Sequence, residues 1–424
     1  MRMKKTLVAL MVATFSISAS AAVVYEADGT KIEFDGSLRL LAEKDKITTE
    51  SKETEIKKNT SKYYIRGSYA ETYRETLTTS YHDKKNKEMK KNYRNSGSRL
   101  GITATQDLDD GFYAFGRLEV RADKTNNENQ FGRLYIKRAF AGLGQKDVGQ
   151  LTFGRQLTIV DDSYQTDSYE FGIVPSYIAS DGNSVIRYDY TGVDGLVFSA
   201  NYNLSEKQNA KGEALDYKLK NAYGVGFTYQ ANLKNNKAFY LNTAYGRSNY
   251  DNTDKTQAQT KSTKAKHYRD GYQMALGYKI GNFKLVSDFG YAKKSRNEER
   301  IVKTTSLYAA PGLQYQITPV SKVYGNYLYE RVKFNKEDVK NTSLFSMSSK
   351  STSLNQKSHG FLLGADYQLH KHVLVFLEGK VVNKKYDDVV MQSEHRNTLF
   401  EKESYSFNAK NVDKVIGVGM RVFW

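Results

Sequence analysis

Between Gln156 and Ser184 the chain carries Asp161, Asp162, Asp167, Glu170 and Asp181 without one Lys or Arg, although the whole protein holds 64 basic and 47 acidic residues. Carboxylates in such a run can serve acid–base chemistry, or present one sign of charge to a passing solute. A complementary basic set is scattered along the chain: Arg39, Arg99, Arg117, Lys137 and Arg187. The six histidines, His82, His267, His359, His370, His372 and His395, fall in connections or near segment ends. None stands with Ser, Asn or Asp in an arrangement that builds a nucleophile and its base. His370 and His372 flank Lys371 in a tight turn, a pair better read as solvated than as metal ligands. There is no Cys and no phosphate-cradling glycine motif. The expectation is therefore no catalytic, cofactor or metal site, and two opposed sets of charge instead.

The elements that hold those charges start after a separate leader. Arg2, Lys4 and Lys5 precede an apolar run from Leu7 to Ile17 and then Ser-Ala-Ser-Ala-Ala at 18–22. A charged start, a short apolar centre and small residues describe a signal peptide, too short to span a bilayer as a helix. It should be cut near Ala21 or Ala22, giving a leader over 1–22 and one domain over 23–424. Mean hydropathy is −0.65, and no later stretch approaches the roughly 18 apolar residues of a spanning helix.

Beyond the leader the chain alternates with period two. Tyr272, Met274, Leu276, Tyr278 and Ile280 share one parity; Phe361, Leu363, Ala365, Tyr367 and Leu369 share another, with polar or small residues between. Successive strand side chains point to opposite faces, so each segment has an apolar and a polar side. About sixteen such segments occur: 31–42, 94–106, 111–122, 132–144, 149–156, 184–191, 195–204, 221–231, 237–248, 270–280, 283–293, 305–317, 321–334, 358–369, 372–384 and 412–424. Short turns alternate with long connections, near 43–93, 123–131, 157–183, 205–220, 249–269, 294–304, 335–357 and 385–411. The fold expected is all-β: an up-and-down barrel with apolar residues facing lipid and polar ones facing water. Lipid leaves no backbone donor unpaired, so the sheet must close. The final strand runs to Trp424, matching the aromatic terminus typical of outer-membrane barrels.

Between Ser98 and Tyr202 the chain resembles a known family. Ser98-Arg-Leu-Gly-Ile102, Leu108-Asp-Asp-Gly111, Arg138-Ala-Phe-Ala-Gly-Leu143, Val148-Gly-Gln-Leu-Thr-Phe-Gly-Arg155, Glu170-Phe-Gly172 and Asn183-Ser-Val-Ile-Arg-Tyr188 are similar to the general porins of Gram-negative outer membranes, above all the major porins of the Pasteurellaceae. The resemblance implies a sixteen-stranded homotrimer for passive diffusion of small hydrophilic solutes and ions. It also implies that the third long loop folds inward, presenting Asp161, Asp162, Asp167 and Glu170 to a basic wall. Parity puts Arg39, Arg99, Arg117 and Arg187 on that wall. Lys137 stands where the family usually has Arg, a point charge without a planar fork.

Arg138 and Arg155 have the apolar parity, where a charge facing lipid costs roughly 2–4 kcal/mol. The expectation is a bulge that shifts the register or a subunit interface holding them, with Glu128 pairing Arg155 across it. The segment over 43–93 departs from the family by its length and should add a hairpin, leaving the strand count open by two. The net charge of +17 would suit a nucleic-acid partner, but a leader and alternating strands exclude it. Lipopolysaccharide phosphates suit the loop lysines better. The alternatives are a substrate-specific channel, a barrel enzyme, or adhesive loops.

Overall fold

The computed structural model describes residues 21–65, 68–86, 90–124, 132–166, 168–251, 267–297, 300–338, 341–343, 346–348, 350–397 and 399–424. Sixteen antiparallel strands form one closed barrel. They are β1 Thr30–Ile65, β2 Arg99–Asp107, β3 Phe112–Ala122, β4 Leu134–Gln145, β5 Gly149–Leu157, β6 Asp181–Val193, β7 Leu196–Asn203 and β8 Ala214–Leu233. The second half is β9 Lys237–Tyr250, β10 His267–Ile280, β11 Phe283–Asn297, β12 Arg300–Thr318, β13 Ser321–Asp338, β14 Lys350–His370, β15 Val373–Asn397 and β16 Leu399–Phe423. The seam joins β1 to β16 from Ser37↔Phe423 to Ser61↔Leu399, and Gly36 and Trp424 exchange backbone bonds of 3.0 and 3.2 Å beyond it. Closure leaves no spanning edge unpaired.

The long segment after residue 43 adds no crossing. β1 continues outward to Ile65, turns, and is paired by Ser68–Asn86 in a register running from Ile65↔Ser68 to Thr48↔Asn86. The hairpin lengthens the wall, so the count stays at sixteen. On the opposite rim the turns are tight. Asn235 and Asn236 both take positive φ (61° and 54°), the backbone a two-residue hairpin needs and Asn tolerates.

The two faces are as the alternation requires. Leu38, Leu100, Leu118, Phe198, Tyr272, Phe361, Leu363, Ile416 and Val418 are exposed on the outer wall. Tyr223, Tyr245, Tyr272 and Tyr291 form a chain of neighbouring rings along β8–β11, with centroids 6.4, 4.8 and 6.3 Å apart. A ring band at one level is what an interfacial girdle provides. The inner wall is less uniform. A buried apolar cluster of Leu41, Phe171, Ile173, Tyr177, Tyr308, Tyr324, Leu362 and Phe376 lies inside the barrel, where wall residues meet the segment between β5 and β6.

Candidate functional site

That segment, 158–180, folds into the lumen, and the wall holds it chiefly by its backbone. Thr158 caps the short 3-10 turn Ile159–Asp162. Glu378 on β15 accepts the amides of Tyr169 (2.8 Å), Glu170 (2.8 Å) and Phe171 (2.5 Å), together with the Tyr324 hydroxyl (3.0 Å). Asp288 on β11 accepts the amides of Gln165 (2.8 Å) and Thr166 (3.1 Å). Both carboxylates are fully buried. From the other direction, Arg421 donates to the Tyr169 carbonyl at 2.6 Å, Arg269 to Ser176 at 2.9 Å, and Asn242 to Asp162 at 2.8 Å. Phe171 and Tyr169 add apolar contact, Tyr169 stacking on Phe376 with centroids 4.9 Å apart. Glycines on the wall let the loop sit close: Ile159 lies against Gly224 and Gly226, Ile178 against Gly246 and Gly271.

The loop carboxylates take different positions. Asp162 is tied to the wall by Arg187 at 2.9 Å, and Arg187 also binds Asp189 at 2.8 Å. Glu170 is sequestered. Its side chain is 4% exposed, receiving Arg94 at 3.1 Å, Lys124 at 2.9 Å and the Ser96 hydroxyl. Burial alone would raise its pKa; Lys124, Ser96 and Arg94 hold it below the usual glutamate range instead. Asp161 keeps a water-accessible surface, yet it lies deep between the barrel walls, and that desolvation, followed by the adjacent Asp162, raises its pKa. Asp167 lies outside the described residues.

Opposite the loop, register lines up a belt of guanidinium groups across the seam. Arg421 pairs directly with Arg39, and Ser37 with Arg99. Arg99 pairs with Arg121, and Glu119 with Arg138. Like charges set opposite one another destabilise a sheet, so the arrangement needs a counter-charge. Glu119, 1% exposed, provides it with Arg121 at 2.5 Å, Arg117 at 3.4 Å and Arg138 at 3.7 Å. Arg117 is further neutralised by a two-pronged pair with Asp35, at 2.7 and 2.9 Å. Lys137 bonds Asp181 at the loop's return.

Arg138 therefore points to the lumen, not to a subunit interface. The pairing of β3 with β4 slips between Glu119 and Val120, and the extra residue turns Arg138 inward. Arg155 stands at a second slip, between Gly154 and Gln156. It donates to the carbonyls of Ile136 (2.7 Å) and Ala210 (3.4 Å) within its own chain. Glu128 lies outside the described residues. Sequence reading passed over Arg121 and Arg421, which have the inward parity of Arg117, and over Glu119, Glu378 and Asp288, whose partners are distant in sequence.

The sequence model of the Gram-negative porin family matches residues 6–387. The major outer membrane protein of Pasteurella multocida (strain Pm70) is 27% identical over 437 residues, covering 99% of each chain. A second Pasteurella multocida major outer membrane protein is 27% identical over 403 residues, covering 89% of this chain and 92% of its own. Among solved structures, the trimer form of OmpT of Vibrio cholerae overlays 94% of this chain and 100% of its own, with a TM-score of 0.52 and 17% identity. An anion-selective porin from Comamonas acidovorans overlays 93% and 100%, with a TM-score of 0.53 and 15% identity. These structural likenesses speak to the fold.

Proposed function

The chain belongs to the Gram-negative porin family, an outer-membrane channel protein, and on that premise we propose that its lumen is a general filter with a transverse field and a preference for small hydrophilic anions. The observation that carries this reading is the arginine belt. Arg39, Arg99, Arg121, Arg138 and Arg421 are gathered by register around one buried carboxylate, Glu119. On the loop side Asp162 and Glu170 are already paired, which leaves Asp161 as the described loop carboxylate open to the solution. The positive side thus outweighs the negative. A dipolar solute aligns between them, while an apolar one must break ordered water to pass.

The work is passive diffusion, not covalent chemistry: the buried acids here hold loop backbone and arginines. The assembly is a homotrimer, as the trimer form of the structurally similar OmpT suggests, and the loop lysines face lipopolysaccharide phosphates. Purified protein in a planar bilayer under a salt gradient tests the whole reading. Conductance steps grouped in threes and a reversal potential of anionic sign are expected. A folded barrel without conductance defeats it.

A further inference from the structure

On the long-loop side of the inward loop, a cavity of about 470 Å³ opens between β4, β6, the segment after β7, and the ends of β8–β11. Small-molecule sites run from about 300 to 1,000 Å³. At its base His267, the first residue of β10, is only 4% exposed. Neither ring nitrogen meets a hydrogen-bond partner among the described residues. A buried polar group without a partner calls for an unseen one. Two tyrosine rings frame the imidazole, Tyr217 edge-on at 4.5 Å and Tyr250 at 4.8 Å. Beside Tyr217 stand Lys294, with its Nζ 5.9 Å from the ring centre, and Arg296 at 5.2 Å.

We propose that this cavity is a docking subsite for a sugar phosphate, occupied before the solute reaches the filter. The proposal rests on the channel reading above and assigns a ligand class to a place outside the filter. Each part of such a ligand has a counterpart. The phosphate meets the Lys294 ammonium, with the Arg296 charge nearby. Ring hydroxyls supply the donor and acceptor that the His267 nitrogens lack. The C–H face of the sugar lies against the tyrosine rings, apolar surface on apolar surface. The other cations at the cavity are already engaged, Lys137 by Asp181 and Lys211 by Asp123 at 2.5 Å. That leaves Lys294 to receive the anion.

The test is single-channel recording in a planar bilayer with glucose 6-phosphate, glucose or inorganic phosphate added on the long-loop side. Wild type is compared with Lys294→Gln and His267→Phe, and interruptions are counted only in channels that conduct, so a misfolded variant contributes nothing. The expected result is resolved interruptions with glucose 6-phosphate that last about tenfold longer than with either simpler solute. Each variant should shorten them by about tenfold, the loss of a charge-assisted or buried hydrogen bond. Equal interruptions in all three channels overturn the subsite, as does inorganic phosphate acting as well as the sugar phosphate. Conducting channels without interruptions defeat this inference alone; absent conductance defeats the channel reading.

Discussion

The carboxylate of Glu378 accepts the backbone N–H of Glu170 at 2.8 Å, so one acid of the wall holds the chain of another. The same oxygen accepts the Phe171 amide, and its companion the Tyr169 amide. Converging amides suit an anion because each turns its dipole toward the charge. Two wall acids, Glu378 and Asp288, thereby convert a loop with few internal bonds into a fixed partition of the lumen.

Replacing Glu378 with Ala should loosen that partition. Three amides and the Tyr324 hydroxyl lose their acceptor, and a buried donor left unmade costs about 1–3 kcal/mol. Open-channel noise should rise, and the loop should become accessible to protease at lower temperature than in wild type. Glu378→Gln keeps one acceptor oxygen and should fall between. An unchanged noise spectrum for Glu378→Ala would show that the apolar contacts of Phe171 and Tyr169 suffice.

The barrel was legible because period-two alternation survives burial in lipid as well as in water, and because turn residues mark every short connection. The inward loop was marked by its acidity and by Glu170-Phe-Gly172. Its fastening was not. Glu378 lies 208 positions from Glu170, and nothing local separates an acid that binds backbone from one that faces water. Arg138 was placed on the wrong side for a related reason: one extra residue between Val120 and Glu119 reverses the parity of everything beyond it, and a slip leaves no mark in composition. Glu170 was expected to face a basic row, and it does meet cations. They are Arg94 and Lys124, which flank strands instead of joining the arginine belt.

Neutralising one belt arginine should move ion selectivity by a small, fixed step. Two unit charges about 10 Å apart in water interact by about 0.4 kcal/mol, a factor of about 2 in local ion concentration. Arg99→Ala and Arg138→Ala should each lower the anion-to-cation permeability ratio by about that factor, read from reversal potentials at low salt. Glu119→Gln should raise it. At about 1 M salt, where the screening length is about 3 Å, the differences should nearly vanish.

Acidification should act on the two described free or latched loop acids in sequence. Asp161 titrates above the ordinary aspartate range, because burial and then Asp162 oppose its charge. Its proton arrives first as pH falls, and anion preference should rise in that window; Asp161→Asn should abolish this first change. Glu170 titrates below the ordinary glutamate range. Its latch is fully present above that range and is lost only as pH falls through the depressed value, when Arg94 and Lys124 lose their counter-ion. Loop noise should increase there, later than the selectivity change. The reverse order would mean that Glu170, not Asp161, is the weaker acid.

The wall glycines under the loop set how far it stands from the axis. A Cβ on Gly271 would lie 2.5 Å from the Ile178 side chain and 2.8 Å from the Tyr177 carbonyl oxygen. A side chain can rotate away, but a carbonyl moves only with its backbone. Gly271→Ala therefore pushes 177–178 toward the pore axis, and single-channel conductance should fall while the barrel still resists SDS before heating. Gly116→Ala, whose new methyl would meet nothing nearer than 3.7 Å, should leave conductance unchanged. Overpacking of this kind costs about 1–3 kcal/mol, less than the combined hold of Glu378, Asp288 and the buried aromatics, so displacement of the loop is expected instead of its release. A Gly271→Ala channel with wild-type conductance would place the narrowest point of the pore away from Tyr177 and Ile178.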